Sequence, residues 1–136
     1  MVPLETPSLG LAPIPRDQAE RAFAAAGVVD PEGLSTPRSV AQAGQCFALS
    51  FPHGSAVLSV GNEGGVLWCY GLAGQGRDMT RAADAVLCRI ARLSGFQRIG
   101  FQTARRGLVR RCRALGYTVA GQLGRGFKME KDLSHG

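Results

Sequence analysis

The sequence has no apolar run approaching the roughly 20 residues a membrane span needs, which excludes a chain anchored by a helix of that kind. It also lacks any CxxC pair: Cys46, Cys69, Cys88 and Cys112 are widely spaced, and His53 and His135 are the only histidines available to complete a metal site. Free, mostly buried thiols in a reducing compartment follow from that spacing, and a zinc site does not. The opening MVPLETPSLG has neither the basic start nor the long apolar stretch of a signal peptide, so the expected compartment is the cytoplasm. Charge is sparse too, with 19% charged against 45% hydrophobic residues, a balance that argues against disorder. With 136 residues, no internal repeat and no long linker, the expectation is one domain spanning 1–136 with a core that needs no staples.

What charge there is lies unevenly. Residues 1–76 carry three arginines against six acids, a net −3, whereas residues 77–136 carry thirteen basic residues against four acids, a net +9. The basic half should attract a polyanion or an anionic cofactor. The alternative is a set of solvated helix faces.

The remaining elements are arranged around the stretch from Gly65 to Gly95. Val66-Leu67-Trp68-Cys69-Tyr70 reads as a buried strand, Gly71, Gly74 and Gly76 as a glycine-rich loop, and Met79, Ala82, Ala83, Val86, Leu87 and Ile90 as one face of an amphipathic helix. Asp78 is placed as its N-cap and Gly95 as its stop. A strand passing through glycines into a helix N-terminus presents backbone N–H groups at the positive end of the helix dipole, which suits a phosphate-bearing ligand. GLAGQGRD matches neither the dinucleotide fingerprint nor the P-loop, and a plain glycine-rich connection without a ligand stays open.

Upstream, the proline-rich start leaves Leu9, Leu11 and Ile14 for a weakly paired edge strand. Ala19, Ala22, Phe23 and Ala26 share the face of a helix over 16–26, which Gly27 ends. Pro31, Gly33 and Pro37 punctuate a loop that holds a short helix over 37–43. Gln45 to Phe51, Ala56 to Val60 and the central strand then follow as an antiparallel meander, with His53 exposed in the first turn. After the long helix, Gln97 to Gln102 reads as a strand and Arg105 to Leu115 as a basic helix capped by Thr103. Its inner face is Leu108, Cys112 and Leu115, its outer stripe is Arg106, Arg110 and Arg113, and Gly116 closes it. Thr118 to Gly121 and Phe127 to Lys131 form a terminal hairpin.

That order, together with the glycine-rich turn before the third helix and Thr103-Ala104-Arg105-Arg106-Gly107-Leu108-Val109-Arg110-Arg111-Cys112-Arg113-Ala114-Leu115-Gly116-Tyr117, resembles the GCN5-related N-acetyltransferase (GNAT) superfamily. The resemblance implies an α/β (α+β) fold with a mixed, mostly antiparallel twisted sheet and helices on both faces. It implies acetyl-CoA in a cleft where the fourth and fifth strands splay apart: Gly74 and Gly76 at the pyrophosphate, Leu72 and Ala73 offering backbone to the pantetheine arm, and Arg77 adding charge. The chain departs from the family's pattern where Gly71 replaces a Gln or Arg and Asp78 brings a negative charge close to the phosphates. A further departure is Cys112, which stands where the family often has a tyrosine acting as general acid. A thiol is matched in pKa to a leaving thiolate, and Arg111 and Arg113 tend to lower it. Cys112 as a small core residue is the alternative.

No general base stands out; Glu63, just before the central strand, is the candidate, acting through water, and a solvated turn carboxylate is the alternative. The function this implies is acyl-CoA-dependent N-acylation of a small-molecule or macromolecular amine. The competing reading is a domain without catalysis that binds nucleic acid or protein through Arg106, Arg110 and Arg113, or pairs with acids of a partner subunit in a homodimer. The five arginines between Arg105 and Arg113 have no interleaved aromatics, so base stacking is not indicated.

Overall fold

The computed structural model describes residues 9–27 and 35–134. The start of the proline-rich segment, Pro31 and Gly33 of the loop, and His135 lie outside them. The elements are β1 (Gly10–Pro13), α1 (Arg16–Ala26), α2 (Pro37–Ala43), β2 (Gln45–Phe51), β3 (Gly54–Glu63), β4 (Val66–Gly76), α3 (Met79–Ser94), β5 (Arg98–Thr103), α4 (Arg106–Ala114), β6 (Thr118–Leu123) and β7 (Gly126–Asp132).

One seven-stranded sheet runs β1-β2-β3-β4-β5-β7-β6, antiparallel at every junction except the parallel β4–β5 pair. Strand alternation sorts side chains to two cores. Leu49, Leu58, Leu67 and Ile99 project to one face, where Val86, Leu87 and Ala91 of α3 and Cys112 of α4 cover them. Cys46 and Ala73 project to the other, beneath Ala19 and Phe23 of α1 and Val40 and Ala41 of α2. The helices therefore lie on both faces, as the family resemblance implied.

Local signals end several helices as expected. Gly27 stops α1 at φ 68° and Gly95 stops α3 at φ 81°. Past α4, Gly116 adopts φ 100° while its N–H bonds Arg113 O and that of Tyr117 bonds Cys112 O, which satisfies two terminal carbonyls. Caps at helix starts follow the expectations less well. Asp78 sits at the N-cap of α3 but in a left-handed conformation, φ 68°, with no side-chain bond to the first turn. Thr103 does not cap α4 either: it is buried, its Oγ1 accepts from Arg105 N at 3.1 Å, and Arg105 holds the N-cap position. The N-cap of α2, Thr36, forms a reciprocal box with Ser39 that the sequence reading passed over.

The largest difference concerns the glycine-rich loop. Gly71 to Gly76 is strand, not loop, pairing continuously with β3 from Ser59↔Gly71 to Gly54↔Gly76. Gly74 and Gly76 are there because backbone lies against backbone, whereas Gly71 leaves room for the Val40 side chain of α2. A Cβ on Gly74 would stand 2.4 Å from Ser55 O, and one on Gly76 2.4 Å from His53 O.

Candidate functional site

β4 changes character halfway along. Val60 pairs with Cys69 and Ser59 with Gly71, so Tyr70 is an extra residue, a β-bulge. One added residue turns the alternation over: Leu67 and Cys69 face α3, Tyr70 and Ala73 face α1 and α2, and Leu72 faces α3 again. The bulge also marks the end of pairing with β5, which is confined to Leu67↔Ile99 and Trp68↔Gly100. Beyond Trp68 the two parallel strands diverge, and the β5-facing edge of β4 loses its ladder.

The gap is filled by a cavity of about 780 Å³ that passes from one face of the sheet to the other. Ser39 and Val40 of α2 and Ala26 of α1 line it on one side; Thr80 and Asp84 of α3, with Arg111 and Cys112 of α4, line it on the other. Leu72, Ala73 and Gly74 form its β4 wall. An unpaired strand edge facing a cavity offers backbone donors and acceptors to whatever enters. At the α3 end, the first amide with a helical partner is that of Ala82, bonded to Asp78 O at 2.9 Å, so the N–H groups of Met79, Thr80 and Arg81 precede any intrahelical acceptor at the positive end of the dipole.

The structure brings Leu72, Ala73, Gly74 and Cys112 together around this cavity. Gly76 and Arg77 follow at the end of β4, where exposed Arg77 places Nη2 3.2 Å from Nε2 of His53, itself exposed in the turn. Cys112 is buried, and its thiol is pushed up to about 11, chiefly by burial and then by the Asp84 carboxylate. Arg111 acts in the expected direction but is outweighed. Glu63 stands apart at the end of β3 and accepts a 2.5 Å hydrogen bond from Tyr70 Oη. Partial burial, and then that contact and the Glu63 charge, push the Tyr70 phenol up to about 12.

A polar cluster that local sequence did not disclose lies behind Cys112. Lys131 Nζ of β7 donates to both Asp84 oxygens, at 3.1 and 3.2 Å, and lies 5.4 Å from the Tyr117 ring centroid. Cys88 points its thiol at Asp84 Oδ1, 3.7 Å away. Tyr117, buried and hydrogen bonded to Asp84, has its phenol raised far above the ordinary value, by burial first. Asp84 and Lys131 are 47 residues apart, and no local pattern joins them.

Of the arginine stripe, Arg106, Arg110 and Arg113 are exposed, and Arg106 lies 5.6 Å from the Phe127 ring centroid. Among the described residues, no group of three metal-ligating side chains converges and no helix is long and apolar enough to cross a membrane.

Solved structures share this architecture. An N-acetyltransferase from Staphylococcus aureus Mu50 superposes with a TM-score of 0.64 at 11% identity, over 92% of this chain and 97% of that one. A GNAT family acetyltransferase from Elizabethkingia anophelis with acetyl-CoA bound superposes at 0.63 and 11% identity, over 94% and 100%. A ribosomal-protein-S5-alanine acetyltransferase from Vibrio fischeri gives 0.57 at 14% identity, over 98% of each chain. No family model and no curated sequence matches the chain. At these identities the agreement is one of fold, and the fold is that of the GNAT acetyltransferases.

Proposed function

We propose that this chain is an acyl-CoA-dependent N-acyltransferase whose cofactor lies in the splay between β4 and β5. The observation that carries the reading is the unpaired edge of β4 beyond Trp68, which faces a cavity open to both sides of the sheet. That cavity fits a pantetheine arm on one ground besides its size: the wall it presents is strand backbone, and a pantetheine carries amides to pair with it. Leu72 and Ala73 would hold the arm, while Gly74, Gly76, Arg77 and the uncapped first turn of α3 would receive the pyrophosphate. Asp78 opposes the phosphates by charge, offset by Arg77 and the helix dipole.

Acetyl-CoA supplies the activated thioester: a C–N bond to the acceptor nitrogen forms as the C–S bond breaks, the nitrogen gives up a proton and the sulfur takes one. Cys112 lines the cavity and carries its proton on Sγ at neutral pH, as an unperturbed thiol would; its rise to about 11 makes it a weaker acid than the matched thiol expected from the sequence, so its contribution as donor is small. On the acceptor side the base we assign is Glu63, which lies outside the cavity lining and would reach the amine's proton only through water or through the Tyr70 hydroxyl bonded to its Oε2.

Thermal unfolding with and without acetyl-CoA tests the cofactor; a ligand at 100 times its Kd adds about 2.7 kcal/mol. Thr80→Glu localises it. A carboxylate in the first turn complements the α3 dipole, so folding is preserved, while the charge meets the pyrophosphate head-on. The expected result is unchanged stability of the free protein and at least tenfold weaker acetyl-CoA binding. Equal affinity in that variant would move the cofactor elsewhere.

A further inference from the structure

The acceptor side of the splay carries an aromatic floor. Trp68 projects from β4 to the face that bears α1 and α2, and a Cβ on Gly100 would lie 2.7 Å from its Cε3 and Cζ3. The indole therefore lies against the backbone of β5, a position that only glycine at 100 permits. Tyr70 is seated in the same way: a Cβ on Gly61 would meet its ring at 2.9 Å. Helices α1 and α2 pack on β2, β3 and β4, and Trp68, Tyr70 and Gln102, all three lining the cavity, are half-buried at its mouth. Because Ile99, Phe101 and Met129 point to the α3 core, Gln102, Lys128 and Glu130 share the face with Trp68.

Charge on this face is specific. Lys128 Nζ lies 6.0 Å from the Trp68 ring centroid and 3.4 Å from Glu130 Oε2, while Arg98 Nη1 is 3.6 Å from Glu130 Oε1. Two cations share one carboxylate, leaving one positive charge in excess beside the indole. The other carboxylate described near the mouth, Glu63, is bound by Tyr70. The Tyr70 hydroxyl is neutral and leaves Glu63 its charge, but the charge that lies against the indole itself is the Lys128 ammonium, and a flat apolar surface flanked by a cation disfavours an alkylammonium on that ring. An amine whose lone pair is delocalised into a ring arrives uncharged and flat.

We propose that the acceptor is an arylamine bearing an anionic substituent, its ring stacked on Trp68, its anion toward Lys128 and its nitrogen toward the splay between Tyr70 and Gln102. The assignment rests on the acyltransferase reading and names the substrate class of that same site.

Trp68 is the sole tryptophan of the chain, so its fluorescence reports this surface alone. The probes are 4-aminobenzoate and its saturated counterpart trans-4-aminocyclohexanecarboxylate, which keeps the anion but is an ammonium and not planar. Both are titrated into the full chain with and without saturating CoA, by Trp68 fluorescence and by calorimetry. The expected result is saturable quenching by 4-aminobenzoate, with affinity at least tenfold above that of the saturated compound. In calorimetry Trp68→Leu should lose tenfold, Trp68→Phe should stay within threefold of wild type, and the surface variant Lys128→Gln should lose severalfold without change in folding. Absence of 4-aminobenzoate binding at millimolar concentration, equal affinity for the two probes, or undiminished binding by Trp68→Leu each overturns the assignment. Stabilisation by acetyl-CoA without 4-aminobenzoate binding defeats the acceptor class alone; the reverse pattern defeats the acyltransferase reading.

Discussion

The two ends of β4 are one strand with two environments. Val66 to Trp68 lies with β3 on one edge and β5 on the other, and is made of residues that fill a pleated, half-buried surface. Gly71 to Gly76 keeps β3 but has no β5 partner, and four of its six residues are glycine or alanine. Both ends are equally strand; they differ in how many edges are satisfied. The closed end is a floor that carries Trp68, and the open end is a wall that carries unpaired backbone. A bulge of a single residue, Tyr70, separates them, and the candidate chemistry gathers at that boundary.

The closed side of the sheet should be the costlier to disturb. Lys131→Ala leaves Asp84 buried beside Tyr117 with its charge unmatched, and the pair is only 18% and 13% exposed, so a loss of about 3 kcal/mol is expected in denaturant unfolding. Replacing the pair by Leu and Met together should restore most of it. If Lys131→Ala is silent, the pair does not hold α3 to β7. At the open end, Gly74→Val drives a Cβ into Ser55 O and should cost about 2 kcal/mol, an effect on folding and not a selective effect on CoA. A normal unfolding midpoint with lost CoA binding would return Gly74 to the role of a dedicated phosphate cradle.

Alkaline pH probes the interior thiols, since all four cysteines are buried. The folded pKa values of Cys69 and Cys112 are raised to about 12 and about 11. Their contribution to stability is therefore complete below the unfolded thiol pKa near 9 and is lost as pH rises through the folded values. By pH 10 each should have forfeited on the order of 1 kcal/mol. Unfolding midpoints between pH 7 and 10.5 for wild type and Cys112→Ser test this, with the serine variant showing the shallower decline.

The smallest effect is expected on the exposed arginine stripe of α4. Arg110→Gln with Arg113→Gln should leave stability within about 0.5 kcal/mol, as surface changes do. If the stripe contacts duplex phosphates, the double variant flattens the log–log salt slope by roughly 2 in a gel-shift titration. If it solvates a bare face, wild type shows no binding near 50 mM salt and the variant matches it.

The sequence by itself determined what near neighbours decide. The helices over 16–26 and 37–43, the strand over 45–51 and the helix from Met79 to Ser94 were legible to the residue, because apolar spacing and terminal glycines act within a turn or two. The same locality misled at Gly71 to Gly76: glycines punctuate a loop unless another backbone needs the space they leave, and at Gly74 and Gly76 β3 is what needs it. Leu72, Ala73 and Gly74 were placed on the cleft, as was Cys112, but the direction of the Cys112 shift follows from burial and from Asp84, which no helix periodicity brings near. Only the tertiary structure decided the bulge at Tyr70, the order β5-β7-β6, the bond from Tyr70 to Glu63 and the seat of Trp68 over Gly100. Each is a pairing between segments distant along the chain, and its energy exists only once the sheet has brought them into contact.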